Sequence, residues 1–314
     1  LVHGWNMTDT EKTQWIETVF KRLWWQGYQG SVALFNWPTL SEFGGFWDVV
    51  TNPHHFDNSE FRSWVSSDAL IGVFNTLNSG GNKLRVLAHS MGNVVTGEAL
   101  RRYTGANIHT YLACQAALSA HYYDNTIVAT HPCEHQGFPH DLFFPDTPDI
   151  MGHFSTGDAN SDPYMRDNDT HVSNMQNYFN ALDWALDLWE INNVRKPDEW
   201  TPYLMGYDGR LDQYEEGVDR FSRGPIENPT EILSVNNQRQ RFMIWSYIDE
   251  SRSRALGQTA NGEFNDWNLH DDFSAGGMGY DDQHYSHSRE FRSHIADEWR
   301  FWERVFDTCQ FQNP

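Results

Sequence analysis

Short apolar runs alternate along the first third of the chain with longer stretches whose apolar positions recur every three or four residues. "LVHGW" (1–5) reads as a strand closed by a glycine turn. Residues 8–30 follow as an amphipathic helix, with Thr8 or Thr10 as its cap, acids in its first turn and Gly27 and Gly30 at its close. "SVALFNWP" (31–38) predicts a second strand stopped by Pro38, and "SEFRSWVSSDALIGVFNTL" (59–77) a second helix. "KLRVLA" (83–88) is a third strand, a helix follows Ser90, and "IHTYLACQAAL" (108–118) is a fourth apolar run of strand type.

Strands separated by helices of this length predict the α/β class, a mostly parallel sheet with helices on both faces. The rhythm breaks between 121 and 169, where His, Asp, Pro and Gly crowd together, and again between 197 and 229. Both stretches read as excursions over the sheet edge within one domain spanning 1–314. Between them, Val172–Phe179 is a strand candidate, followed by a polar turn and a helix opening at Trp184. "QRFMIWSYID" (240–249) reads as the last strand and 288–306 as a closing amphipathic helix. No internal repeat and no low-complexity tract interrupts this order.

Composition narrows the partners. Lys+Arg 22 against Asp+Glu 43 gives a net charge of −21, a field that repels nucleic acid and anionic membrane surfaces. No run approaches the ~20 apolar residues of a membrane span, and the mean hydropathy is −0.67. Three cysteines (Cys114, Cys133, Cys309) allow one bridge and require none. The chain opens on Leu1 without a charged leader and apolar run, so a preceding segment is expected to be missing. Secretion or a periplasmic address therefore stays open, and the oligomeric state is not written in the sequence.

The chemistry centres on "AHSMG" (88–92), which lies after an apolar strand and before a helix. A serine at such a corner is a plain helix cap or an exposed nucleophile. The small residues two positions either side let strand and helix approach closely around a strained serine, the mechanical requirement of a nucleophile elbow. "HG" (3–4) ends the first strand, where such an architecture supplies backbone donors.

With these motifs and their order, the sequence resembles the α/β-hydrolase fold, and within it the lipase- and esterase-like serine hydrolases. The segments "HSREF" and "NYFNALDWAL" are similar to poorly characterised bacterial members. Such folds begin with a pair of strands ahead of the "HG" strand, and here none is present. The resemblance implies Ser90 as nucleophile, with the backbone N–H groups of Trp5 and Met91 as oxyanion hole. It orders the remaining residues as acid, then histidine. That order selects Asp183 as acid, whose other reading is a cap for the helix at Trp184, with Asp249 as the rival and Asp187 behind it. His287 is selected as base, with His284 as the alternate. His89 is expected to pack against a neighbouring loop and His3 to brace the "HG" turn.

The activity implied by the resemblance is that of a carboxylic ester hydrolase, working through an acyl-enzyme on a small-molecule, lipid or polyester ester. Amidase, thioesterase and acyltransferase chemistry shares the same machinery, and the fold also hosts relatives that only bind. No cofactor is required by this chemistry. "THPCEHQGFPHD" (130–141) nevertheless carries zinc-ligand types without a defined zinc spacing, and "DANSDPYMRDND" (158–169) resembles part of a calcium loop but lacks its glycine and terminal Glu. Of the 14 tryptophans, Trp24, Trp25, Trp299 and Trp302 lie at helical spacing and are expected in the core, whereas Trp200 is a candidate pocket residue.

Overall fold

The computed structural model describes residues 1–39, 53–81, 83–102, 105, 107–118, 123, 172–183, 185–186, 218–219, 224–225, 255–260, 265–269, 287–291 and 299–311. Four strands lie side by side, all parallel, in the order β1 (Leu84–His89), β2 (Ile108–Cys114), β3 (Met175–Phe179) and β4 (Asn265–Asn268). The N-terminal segment extends the sheet beyond β1 through single parallel bridges from Val2 to Ala88 and to Phe35. Val2 N donates to the Leu87 carbonyl at 2.9 Å, and His89 N donates to the Val2 carbonyl at 3.0 Å. The "HG" turn is thereby held beside the end of β1.

Strand residues alternate between two buried layers, as expected for a parallel sheet covered on both faces. Val86, Ala88, Tyr111 and Ala113 point into one core with Leu70, Phe74, Val94 and Val95. Leu87, Leu112, Cys114 and Tyr178 point into the other with Trp15, Val19, Leu23, Phe301, Trp302 and Val305. The first layer is supplied by α2 (Pro53–Asn78) and α3 (Gly92–Arg102), the second by α1 (Asp9–Trp25) and α4 (Trp299–Thr308). Each Val, Leu or Phe side chain among them contributes roughly 1.5–3 kcal/mol on removal from water, so the two layers hold the sheet from both sides.

Helix α1 starts where its chemistry dictates. Thr8 caps it, its hydroxyl accepting from Glu11 N at 3.2 Å while the Glu11 carboxylate accepts from Thr8 N at 2.8 Å. Gly27, at φ +100°, turns the chain away after the last residue.

Several expectations need correction. The runs 1–5 and 31–38 form single bridges in place of full strands. The fourth run ends at Cys114 and not at Leu118, because Gln115 adopts φ +43° and leaves the strand. The strand beside β3 is Asn265–Asn268, a segment to which the sequence assigned no element; the strand expected at 240–249 lies outside the described residues. "NDWN" carries one apolar residue in four positions, so hydrophobic patterning cannot mark it. Within the closing helix expected at 288–306, residues 289–291 are a 3-10 turn and Trp299 onward is helical, while 292–298 lie outside the described residues.

Trp302 is fully buried, but Trp24, Trp25 and Trp299 are exposed. The stripe of α1 that faces the sheet runs through Trp15, Val19 and Leu23. At 100° per residue, Trp24 and Trp25 turn off that stripe. Trp299 is the first residue of α4, ahead of its buried positions at Phe301, Trp302 and Val305.

Cys114 and Cys309 are buried free thiols. Burial pushes the Cys309 thiol up to about 12 and that of Cys114 well above its ordinary value. Of the two irregular stretches, Tyr123 and a two-residue antiparallel pair, Val218–Asp219 with Gly224–Pro225, are described. Among the described residues, no helix is long and apolar enough to cross a membrane.

Candidate active site

Strand β1 delivers Ser90 at its C-terminal end, in a left-handed conformation with φ +52°. For a non-glycine residue this is strained backbone, and the surrounding bonds hold it there. Ser90 N donates to the Cys114 carbonyl at 3.0 Å. The Ser90 carbonyl accepts from Asn93 N at 3.0 Å, Ala117 N at 3.2 Å and the Asn93 side-chain amide at 3.0 Å. That amide also reaches the Ala88 carbonyl at 3.2 Å and the Cys114 carbonyl at 3.3 Å, while its oxygen accepts from the Tyr111 hydroxyl at 2.7 Å. Asn93 thus ties the ends of β1 and β2 around the serine.

The small residues of the motif have a direct steric cause. A Cβ on Gly92 would stand 2.5 Å from the Val2 carbonyl oxygen and 2.6 Å from that of His3. A Cβ on Gly4 would stand 3.0 Å from the Cβ of Ser90. The "HG" turn and the serine turn are therefore packed backbone to backbone. His3 braces the first of these turns: its Nδ1 donates to the Gly4 carbonyl at 2.8 Å, and its ring stacks on Trp37 at 5.3 Å. Burial lowers the His3 imidazole from 6.5 to about 4, so it is neutral across the physiological range.

Asp183 lies beyond the end of β3 and is fully buried. Its Oδ2 accepts from His287 Nδ1 at 2.7 Å and from the Gln115 side-chain amide at 2.6 Å. Its Oδ1 accepts from Ala185 N at 3.1 Å and Leu186 N at 3.3 Å. The carboxylate serves both readings of the sequence at once, one oxygen capping the helical turn and the other holding an imidazole. Burial pushes its carboxyl above the usual range, against the pull of His287 and the two backbone donors. Gln258 steadies the loop by donating to the Asp183 carbonyl at 2.9 Å.

Ser90, His287, Trp5 and His89 line one cleft of about 320 Å³. Asn6, Met7, Ser288 and Phe291 also line it, together with Glu11, Gln14, Trp15 and Thr18 of α1. The indole N–H of Trp5 is anchored to the Ser59 hydroxyl at 2.8 Å. Met91 is buried where α3 begins. Asp249, Asp187, His284 and Trp200 lie outside the described residues, as do the segments 130–141 and 158–169 with zinc- and calcium-ligand types. Among the described residues, no group of three or more His, Cys, Asp or Glu is arranged to hold a metal.

Asn93, Gln115 and Gln258 escaped the sequence reading. Gln115 carries a usable signal, a lone long polar residue inside the apolar run "YLACQAAL".

The parallel sheet covered by helices on both faces, with a sharp serine turn after β1, has the α/β-hydrolase fold. Residues 1–120 match the model of a family described as "Alpha/beta hydrolase of unknown function (DUF900)". That match covers the "HG" turn, Ser90 and β2, and stops before Asp183 and His287. No curated protein and no solved structure matches the chain.

Proposed function

We propose that the protein is a serine hydrolase that cleaves carboxylic esters through an acyl-enzyme intermediate. The observation that carries this reading is the 2.7 Å contact between Asp183 and the Nδ1 of His287, on a cleft that also presents Ser90 in its strained turn. With Nδ1 committed as a donor to the carboxylate, neutral His287 has Nε2 bare to take a proton. In the proposed reaction the Ser90 hydroxyl attacks the acyl carbonyl and His287 accepts its proton. Asp183 holds the tautomer and stabilises the imidazolium. The backbone N–H groups of Trp5 and Met91 receive the negative charge of the tetrahedral intermediate. Collapse expels the alcohol, protonated by His287, and water then releases the acid by the same route.

Two measurements test the proposal together. A fluorophosphonate probe should label wild-type protein and not Ser90→Ala, and p-nitrophenyl esters of graded acyl length should be turned over with one length preferred. A folded protein that takes no label and hydrolyses none of these esters would overturn it.

A further inference from the structure

The end of β2 holds a residue to which the proposed reaction assigns no role. Gln115 is fully buried, follows the apolar strand directly, and adopts φ +43°. Glycine would meet that backbone demand at least cost, so a glutamine retained there needs a reason in its side chain. The amide supplies one, because it donates to Asp183 Oδ2 at 2.6 Å, the same oxygen that accepts from His287 Nδ1 at 2.7 Å.

We propose that Gln115 is a positioning residue of the hydrolytic site, fixing the carboxylate of Asp183 and keeping it ionised. This rests on the hydrolase reading above. Oδ1 is held by the Ala185 and Leu186 N–H groups, so the amide completes a set of donors around both oxygens, and the carboxylate cannot rotate away from the imidazole. A donor to the anion favours its charged form and opposes the burial that pushes Asp183 up. The donor is also neutral. A lysine or arginine there would cancel the charge that the imidazolium needs, whereas an amide orients the carboxylate and leaves its charge in place.

The backbone is built to bring this amide in. A Cβ on Gly257 would stand 2.2 Å from the Gln115 carbonyl carbon and 2.3 Å from Ala116 N, so only glycine lets the 256–258 turn close over it. Gly257 N donates to the Ala116 carbonyl at 2.9 Å, and the Gly257 carbonyl accepts from Asn180 N at 2.8 Å. The 180–183 loop is thereby fastened to the residues beside Gln115.

Among the described residues, the titratable group facing the Asp183 carboxylate is His287. His89 lies across the His287 ring at 4.9 Å between centroids, and Glu290 shares the turn of His287. On β2 the neighbouring Cys114 is held protonated by burial, and the 256–258 turn brings the neutral Gln258.

The test compares Gln115→Met, which keeps the length and removes the donor, with Gln115→Glu, which keeps the shape and replaces the donor by an acid. Gln258→Met serves as a control for loosening the same loop. For Gln115→Met, kcat should fall about tenfold with KM unchanged. The acidic limb of kcat/KM should move up by about one pH unit, the size of one charge-assisted hydrogen bond. The limb should move further for Gln115→Glu and stay in place for Gln258→Met. The proton resonance of His287 Nδ1–H should shift in both Gln115 variants, a readout that needs no substrate. Folded Gln115 variants with wild-type kcat, limb and resonance would overturn the proposal. Failure of the hydrolase reading looks different: the wild type then turns over no ester, while the resonance still reports whether Gln115 governs the contact between Asp183 and His287.

Discussion

The imidazole of His89, the residue before Ser90, donates from Nε2 to the main-chain carbonyl of His287 at 2.7 Å. Its ring also packs edge-on against Phe291 at 4.8 Å. The residue next to the serine thus fixes the backbone that carries the facing imidazole. His89→Phe keeps the aromatic packing and loses the hydrogen bond. It should lower stability by about 1 kcal/mol and reduce kcat several-fold with KM unchanged, as read by urea midpoints and ester kinetics. An unchanged kcat would show that the 287–291 turn holds itself.

The strain at Ser90 separates stability from activity. Ser90→Gly relieves a left-handed backbone that costs an L-residue about 1 kcal/mol or more. The expected outcome is a more stable protein, by roughly 1 kcal/mol, that hydrolyses no ester. Ser90→Ala should be equally inactive and no more stable than wild type. A Ser90→Gly protein less stable than wild type would mean that the serine side chain contributes more than the strain removes.

Asp183 and Asp249 can be told apart by rate. Asp183→Asn keeps the shape but loses the charge that holds His287, and should lower kcat by about two orders of magnitude with little change in KM. Asp249→Asn should leave kcat within a few-fold and act on stability. The opposite pattern in steady-state kinetics would exchange the two roles.

His3 links folding to pH. The unfolded chain takes up a proton below 6.5, whereas the folded chain refuses it until about 4. The stability tied to this group is complete above pH 6.5 and is lost as pH falls toward 4, about 3 kcal/mol in full. His3→Gln keeps a donor for the Gly4 carbonyl and removes the titration. Its urea midpoint should therefore fall less between pH 7 and pH 4.5 than that of the wild type. Equal slopes would place the acid sensitivity elsewhere.

How much of this was legible in the sequence depends on what each residue contacts. The α/β-hydrolase class could be read because periodic burial on two faces writes itself into Leu84–His89, Ile108–Cys114 and α1. The "AHSMG" corner could be read because the close approach at Gly92 is a local steric demand. Strand β4 could not, since Asn265–Asn268 joins the sheet through its backbone and offers little apolar pattern. The exposure of Trp24 and Trp25 was hidden because a run of aromatics does not say where a buried stripe ends. The partners of Gln115 and Gln258 were hidden for another reason. They lie 68 and 75 positions away in the chain, and no spacing rule connects residues across such a gap.

The seating of Gly257 against Gln115 also has a consequence in time. A ribosome that has reached position 250 has made Ser90 and Asp183. It has made neither the turn that closes over Gln115 nor the imidazole that meets the carboxylate. Ser90 is thus synthesised well before the residues that complete its surroundings. They come together only when residues 256–258 and His287 have been added and fold back beside the end of β2, so the growing chain carries an incomplete site until that segment has been made.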